Sequence, residues 1–238
     1  MLMERGTFMP NEHPAPVLAF DVYGTLIDPF HMEEHLRPFF GEKAKEASEL
    51  WRGKQIEYSF RRALMKKYAP FDVCTAQALR FVSAQLGISV SDEAHAELMA
   101  KYLQLPAYPD VTSVLNELAA QGFQIAACSN GTESAVRRLL DHTGVLSRFS
   151  KIVSVDPIRT FKPDPAVYEY LVAELRARRD LVWLISSNPF DIVGARACGL
   201  RTAWVRRDTK RAFDPWEFEP DIVVHGLAEL PGKLRSVR

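Results

Sequence analysis

The chain has 238 residues, of which 47% are hydrophobic and 25% charged, and its 30 basic and 30 acidic side chains balance to a formal net charge of +0. That length and apolar share can bury a full core in one large domain or two modest ones, and the balanced charge supplies no field for nucleic acid or an anionic membrane, so small-molecule chemistry is the default. Its three cysteines, Cys74, Cys128 and Cys198, are widely spaced, odd in number and free of any CxxC pair; they argue against a disulfide framework or a thiolate metal site and fit a reducing, cytoplasmic compartment with unpaired core thiols.

The first sixteen residues contain Pro10, Pro14 and Pro16 without a continuous apolar run, and read as a disordered leader rather than a signal peptide; no later stretch approaches a membrane span. Val17 to Phe20 form an apolar run that stops at Asp21 and breaks into the turn Val22-Tyr23-Gly24-Thr25. Such a run predicts a buried parallel strand whose final carboxylate projects from the carboxyl edge of the sheet. From His31 to Leu103 no strand is expected. Leu50, Ile56, Phe60 and Leu64, then Ala78, Phe81, Val82 and Leu86, recur roughly at helical spacing.

After Pro106 and Pro109 the pattern alternates. Helices are predicted over residues 111–120, 133–140, 165–175 and 191–197, and strands over 124–128, 151–155, 181–185, 202–205 and 222–224. This alternation predicts an α/β fold: a Rossmann-like, mainly parallel sheet core with helices on both faces, built from residues 1–29 and 106–238, and interrupted by an all-helical cap over residues 30–105.

Three further segments bring polar groups toward the edge where Asp21 is expected. The second strand runs into Ser129-Asn130-Gly131-Thr132, offering a hydroxyl, an amide and free backbone N–H groups at a helix start, a cradle for an anion. Ser129 also suits the cap of that helix. A strand-to-loop segment carries Lys162 on a Pro-stiffened turn, and the strand over 181–185 leads into Ser186-Ser187-Asn188-Pro189-Phe190-Asp191. One candidate nucleophile, one hydroxyl, one cation and a second acid follow one another in that order.

These four segments resemble the four motifs of the haloacid dehalogenase superfamily, with agreement from Val17 to about Val205. Asp21-Val22-Tyr23-Gly24-Thr25-Leu26, Leu50-Trp51-Arg52 with Gln55-Ile56-Glu57-Tyr58, Cys128-Ser129-Asn130-Gly131, Lys162-Pro163-Asp164 and Ser186-Ser187-Asn188 with Asp191 resemble its L-2-haloacid dehalogenase branch. Two departures separate that branch from the family's phosphatases. Phosphatases place an acid two residues after the nucleophile to protonate the leaving alkoxide; here the position is Tyr23, whose ordinary pKa of about 10 makes it a poor acid at neutral pH. They also carry a metal-holding acid four residues before the position of Asp191, and here that position is Ser187. A neutral hydroxyl binds a hard dication weakly, so no metal or other cofactor is expected.

The resemblance implies that Asp21 attacks C2 of a short 2-haloalkanoate, giving an ester and free halide, and that the ester is hydrolysed to a 2-hydroxy acid with inverted C2. It implies that Lys162 keeps Asp21 ionised, Ser129 and the backbone near Asn130 hold the substrate carboxylate, and Arg52, with Asn130 and the edge of Phe190, receives the halide. Asp191 would orient or deprotonate water, Thr25, Ser187 and Asn188 would hold the carboxylates, and Tyr23, Tyr168, Ile56 and Phe71 would wall the pocket. His31, His35 and His142 sit in no ligand or triad spacing and receive no role. Gly53 stands where many family members carry a longer polar residue, which implies a wider entrance. The resemblance also implies a homodimer, and nucleic-acid or membrane partners are not expected. Three other readings stay open at this level: a phosphatase acting on a small phosphate ester, a hydrolase of another C2-activated acid such as azetidine-2-carboxylate, and a catalytically idle binding protein.

Overall fold

The computed structural model describes residues 16–236, so the leader expected over the first sixteen residues lies, apart from Pro16, outside the described residues. Six parallel strands form one sheet in the order β3-β2-β1-β4-β5-β6, with β1 Val17–Asp21, β2 Gln124–Ser129, β3 Lys151–Ser154, β4 Val182–Ser186, β5 Arg201–Val205 and β6 Ile222–Val224. Every residue of β1 and of β4 is buried. Unbroken apolar runs are what a parallel sheet covered on both faces requires, which is why these strands lack the polar alternation of a half-exposed sheet.

The chain builds outward from β1 to β3, then returns to β4 on the other side of β1. Strand order therefore reverses at β1, and the crevice beyond the carboxyl ends of β1 and β4 is where open α/β sheets hold ligands. In-register pairing places Asp21 opposite Cys128 and Phe20 opposite Ile185. Asp21, Ser129 and Ser186, the last residues of three adjacent strands, thus share one edge.

Between β1 and β2 lie α1 Met32–Phe40, α2 Ala44–Leu64, α3 Phe71–Leu86, α4 Asp92–Tyr102 and α5 Val111–Ala120. The first four contain no strand, as the periodicity implied. The face expected to be buried on α2 is different, however: Ala44, Ala47, Ser48, Trp51, Gln55 and Ser59 are buried, whereas Leu64 is 83% exposed and Leu50, Ile56 and Phe60 are half-buried. Small residues let α2 lie close against α1 and α3, and Trp51 anchors the contact by donating its indole N–H to the Thr75 carbonyl at 2.8 Å. The apolar side chains set aside from that face are free to meet other parts of the chain, as Phe60 does in packing on Phe190.

The remaining helices are α6 Glu133–His142, α7 Pro165–Leu175, α8 Pro189–Ala197 and α9 Leu230–Arg235. Thr132, not Ser129, caps α6, accepting from the Ala135 N–H at 3.3 Å. Asp164 caps α7, accepting from the Ala166 N–H at 3.0 Å with Pro165 at the first helical position. Lys162 does not follow a strand directly: β3 ends at Ser154, and a short 3-10 turn over Asp156–Ile158 intervenes. Phe161 beside it is fully buried, and the lysine reaches the sheet edge by its side chain, donating to the Cys128 carbonyl at 2.9 Å.

Candidate active site

Asp21 ends β1 with three donors on its carboxylate. Thr25 Oγ1 donates to Oδ2 at 2.7 Å, Asn188 Nδ2 donates to the same oxygen at 2.9 Å, and Lys162 Nζ donates to Oδ1 at 3.0 Å. The turn that returns Thr25 to Asp21 requires glycine at 24, where φ is +93° and a Cβ would stand 3.2 Å from Ser187 Oγ. Ser187 grips this turn: its hydroxyl donates to the Gly24 carbonyl at 2.6 Å and its N–H donates to Thr25 Oγ1 at 2.8 Å. Ser187 therefore acts on the turn and not directly on either carboxylate, which corrects the sequence expectation for it. Ser186, to which no motif assigns a role, accepts from the Asn188 N–H at 3.1 Å and so aims Asn188 at Asp21.

Lys162 uses all three of its hydrogens. Besides Asp21 it donates to Asp191 Oδ2 at 2.7 Å and to the Cys128 carbonyl at 2.9 Å, with its side chain 2% exposed. Burial alone disfavours the ammonium, but Asp191 and then Asp21 outweigh it and push the pKa well above the ordinary lysine value. Asp191, in the first turn of α8, is fully buried, and that burial pushes its pKa up while Lys162 opposes the rise. Burial likewise pushes the Cys128 thiol up to about 12, so it is no nucleophile at neutral pH.

Tyr168 lies beneath Asp191 rather than in a pocket wall, which is a second correction. It is completely buried, and its hydroxyl donates to Asp191 Oδ1 at 2.9 Å and lies 3.2 Å from the Asp191 carbonyl. The α7–α8 approach that permits this depends on Gly194, where a Cβ would stand 2.6 Å from the Tyr168 hydroxyl and 2.8 Å from Pro163 Cβ. No periodicity signals such a contact.

From α2, Arg52 reaches the turn after β1, donating from Nη2 to the Tyr23 carbonyl at 3.0 Å and from Nη1 to Gln55 Oε1 at 3.4 Å. Gln55 also accepts from the Tyr102 hydroxyl at 3.0 Å, and the Tyr102 ring stacks on Tyr23 with centroids 5.5 Å apart. Gln55 and Tyr102 went unassigned from sequence, although Gln55 stands three residues after Arg52 on one helix and so faces the same way. Burial, then Tyr102, raises the Tyr23 phenol far above its ordinary range. Tyr23 is thus neutral and is no acid.

The expected site residues divide between two recesses. Tyr23 and Phe71 line a cavity of about 240 Å³ that also meets Gly131 and Thr132 at the start of α6. Arg52, Ile56, Ser187 and Asn188 line a separate cleft of about 640 Å³. Phe190 packs edge-to-face on Phe60, with centroids 5.1 Å apart. Ser129 Oγ accepts from the Gly131 N–H at 3.1 Å, which leaves its own hydroxyl hydrogen uncommitted, and Asn130 Oδ1 accepts from the Lys162 N–H at 3.0 Å, which leaves the Asn130 amide hydrogens uncommitted. Cys198 is only half-buried, unlike the other two thiols.

Residues 16–199 match the family model for haloacid dehalogenase-like hydrolases. Among curated proteins, the (S)-2-haloacid dehalogenase of Pseudomonas sp. (strain YL) is 36% identical over 210 residues, covering 88% of this chain and 90% of that protein. The haloacetate dehalogenase H-2 of Moraxella sp. (strain B) is 34% identical over 87% of this chain and 92% of its own. Among solved structures, L-2-haloacid dehalogenase from Xanthobacter autotrophicus with chloropropionic acid covalently bound superposes with a TM-score of 0.90 at 29% identity, covering 94% of this chain and 100% of that one.

Proposed function

Because the chain belongs to the haloacid dehalogenase-like hydrolase family, we propose that it hydrolyses short L-2-haloalkanoic acids to 2-hydroxy acids with inversion at C2. The observation that carries this reading is the state of Asp21: a carboxylate beside a saturated ammonium, two residues from a neutral tyrosine where alkoxide chemistry needs an acid. A halide leaves without a proton. In this reading Asp21 Oδ1 is the attacking atom. Oδ2 has both lone pairs engaged by Thr25 and Asn188, whereas Oδ1 accepts only from Lys162 and keeps one lone pair.

The substrate carboxylate lies at the free Ser129 hydroxyl and the N–H groups opening α6, which fixes C2 in line with Oδ1; orientation of this kind recovers up to about 7–11 kcal/mol of barrier. Attack forms the O–C2 bond as the C2–halogen bond breaks, and the halide leaves toward Arg52 and the free amide of Asn130. Water then adds to the Asp21 ester carbonyl, with Asp191 taking its proton. Burial pushes the Asp191 pKa up, which makes its carboxylate a stronger base than an ordinary one. Thr25, Asn188, Ser187 and Tyr168 position these carboxylates, and Tyr23, Phe71 and Ile56 exclude competing water.

In the same reading residues 30–105 serve as a cap over a core of residues 1–29 and 106–238, a division supported by the bonds that Arg52, Phe60 and Tyr68 make across it. Leu64 and Met65, 83% and 66% exposed at the end of α2, support a face for a second copy of the chain. No helix among the described residues is long and apolar enough to cross a membrane; the three free thiols support a cytoplasmic setting. Halide release from L-2-chloropropionate, its D enantiomer and chloroacetate tests the activity, with Asp21→Asn as control. The expected result is release from the L acid, lost in the variant. Absence of halide from all three acids with folded protein overturns it.

A further inference from the structure

The 640 Å³ cleft beside Asp21 is larger than a three-carbon acid needs and lies within the range of about 300–1,000 Å³ typical of small-ligand sites. It starts one side chain from the nucleophile, since Asn188 both lines it and donates to Asp21 at 2.9 Å. Gly53 lines it too, and a Cβ there would meet nothing within 4 Å. Four arginines face the cleft: Arg52, Arg206, Arg207 and Arg211.

Two of the four are committed elsewhere. Arg207 donates to the Thr25 carbonyl at 2.7 Å and pairs with Asp110 at 3.0 Å, and Arg206 donates to the Arg211 carbonyl at 2.9 Å with its guanidinium over the Trp204 ring. The side chain of Arg211 has no hydrogen bond or ion pair among the described residues, and Arg52 has only neutral acceptors. Of the nearby acids, Asp28 accepts from the Phe30 N–H and the Tyr108 hydroxyl, Asp208 accepts from the Lys210 N–H, and Glu49 pairs with neither arginine, while Asp214 and then Asp208 attract Arg211 through space without forming an ion pair. Partial desolvation and then the Arg52 charge push Arg211 below the ordinary arginine range against the pull of Asp214 and Asp208, and the residue stands exposed at the rim of the cleft. Two guanidiniums that repel each other across a cavity are stabilised by an anion between them.

We propose that this cleft is a second anion subsite, in which Arg211 takes the distal carboxylate of a 2-halo dicarboxylic acid while Arg52 receives the departing halide. The proposal rests on the dehalogenase reading above and names its substrate class. Asp21 Oδ1 bonds to C2, the C2–halogen pair leaves as halide, and water restores the Asp21 carboxylate, releasing the 2-hydroxy diacid and one proton. Gly53 leaves room for the extra carbons.

Chloride release from L-2-chlorosuccinate and L-2-chloropropionate, with calorimetric binding of succinate and propionate, tests it in the full chain and in Arg211→Gln, Arg211→Lys and Gly53→Gln. The expected result is succinate binding at least tenfold tighter than propionate. The chlorosuccinate-to-chloropropionate ratio of kcat/KM should fall at least tenfold in Arg211→Gln, through KM, and recover in part in Arg211→Lys. Gly53→Gln, at a helical position that favours a side chain, should lower the same ratio. An equal affinity for the two unhalogenated acids, or a ratio unchanged within twofold in Arg211→Gln, overturns the subsite. Retained succinate preference without chloride release from either acid overturns the dehalogenase reading and leaves the subsite standing.

Discussion

Replacing Lys162 by methionine keeps most of the side-chain volume and removes the charge that three buried acceptors share. Its ammonium lies 3.0 Å from Asp21, 2.7 Å from Asp191 and 2.9 Å from the Cys128 carbonyl, with no solvent to replace it. Removing one partner of a buried ion pair costs about 3–5 kcal/mol, a large share of the roughly 5–15 kcal/mol that holds a domain folded. The loss should depend on pH, and its sign follows from Asp191. Burial already raises that carboxyl above its ordinary value and Lys162 holds it down, so the variant's folded pKa rises further above an unfolded value of about 3.9. A folded pKa above the unfolded one gives stability that is present below the unfolded pKa and lost as pH rises through the folded pKa. The gap between wild type and Lys162→Met should therefore widen from pH 5 to pH 8, by up to about 1.4 kcal/mol per pH unit for each proton involved. Urea denaturation followed by tryptophan fluorescence across that range measures it. A gap that is flat with pH, or that narrows toward pH 8, refutes the charge argument.

Tyr168→Phe removes the hydroxyl that donates to Asp191 Oδ1 at 2.9 Å; a hydrogen bond to a charged group is worth about 1.5–3 kcal/mol, and since that bond lowers the Asp191 pKa, the acid limb of the kcat–pH profile for halide release should move to higher pH. Gly194→Ala forces apart groups that a Cβ would approach to 2.6 and 2.7 Å on Tyr168, so kcat should fall about 10²-fold from misplacement near 1 Å, with activity within twofold of wild type counting against the contact. Halide release should be unaffected by EDTA, because the Ser187 hydroxyl is already donated to Gly24 and the Lys162 ammonium occupies the gap between the two carboxylates; a metal requirement restored by Mg²⁺ would contradict this. 

The strands were legible because a parallel sheet buried on both faces writes itself as unbroken apolar runs, and β1 and β4 are such runs. α5 and α7 were legible to the residue, Val111–Ala120 and Pro165–Leu175, since prolines precede or open them and apolar spacing fills them. The face of α2 was not, because its buried side is made of alanine, serine and glutamine around one tryptophan, and apolar periodicity is blind to packing by small residues. Within the site, Asp21, Lys162 and Asp191 stood out as charges at strand ends or stiffened turns. The positions of Tyr168 beneath Asp191 and of Gly194 against it carry no sequence signal for the same reason: both depend on how closely α7 approaches α8, a distance that neither helix encodes alone.

The charges in the site account for its two cations standing apart. Before reaction, Asp21 and Asp191 share Lys162, leaving one net negative charge among the three. In the proposed cycle ester formation erases the Asp21 charge and moves it to the halide, so Lys162 then pairs with Asp191 alone. A lysine saturated by three internal acceptors cannot follow the charge as it leaves. The cation that receives it must therefore approach from another element, and Arg52, held from α2 by the neutral carbonyl of Tyr23 and the neutral amide of Gln55, is placed with no carboxylate to give up before it can do so.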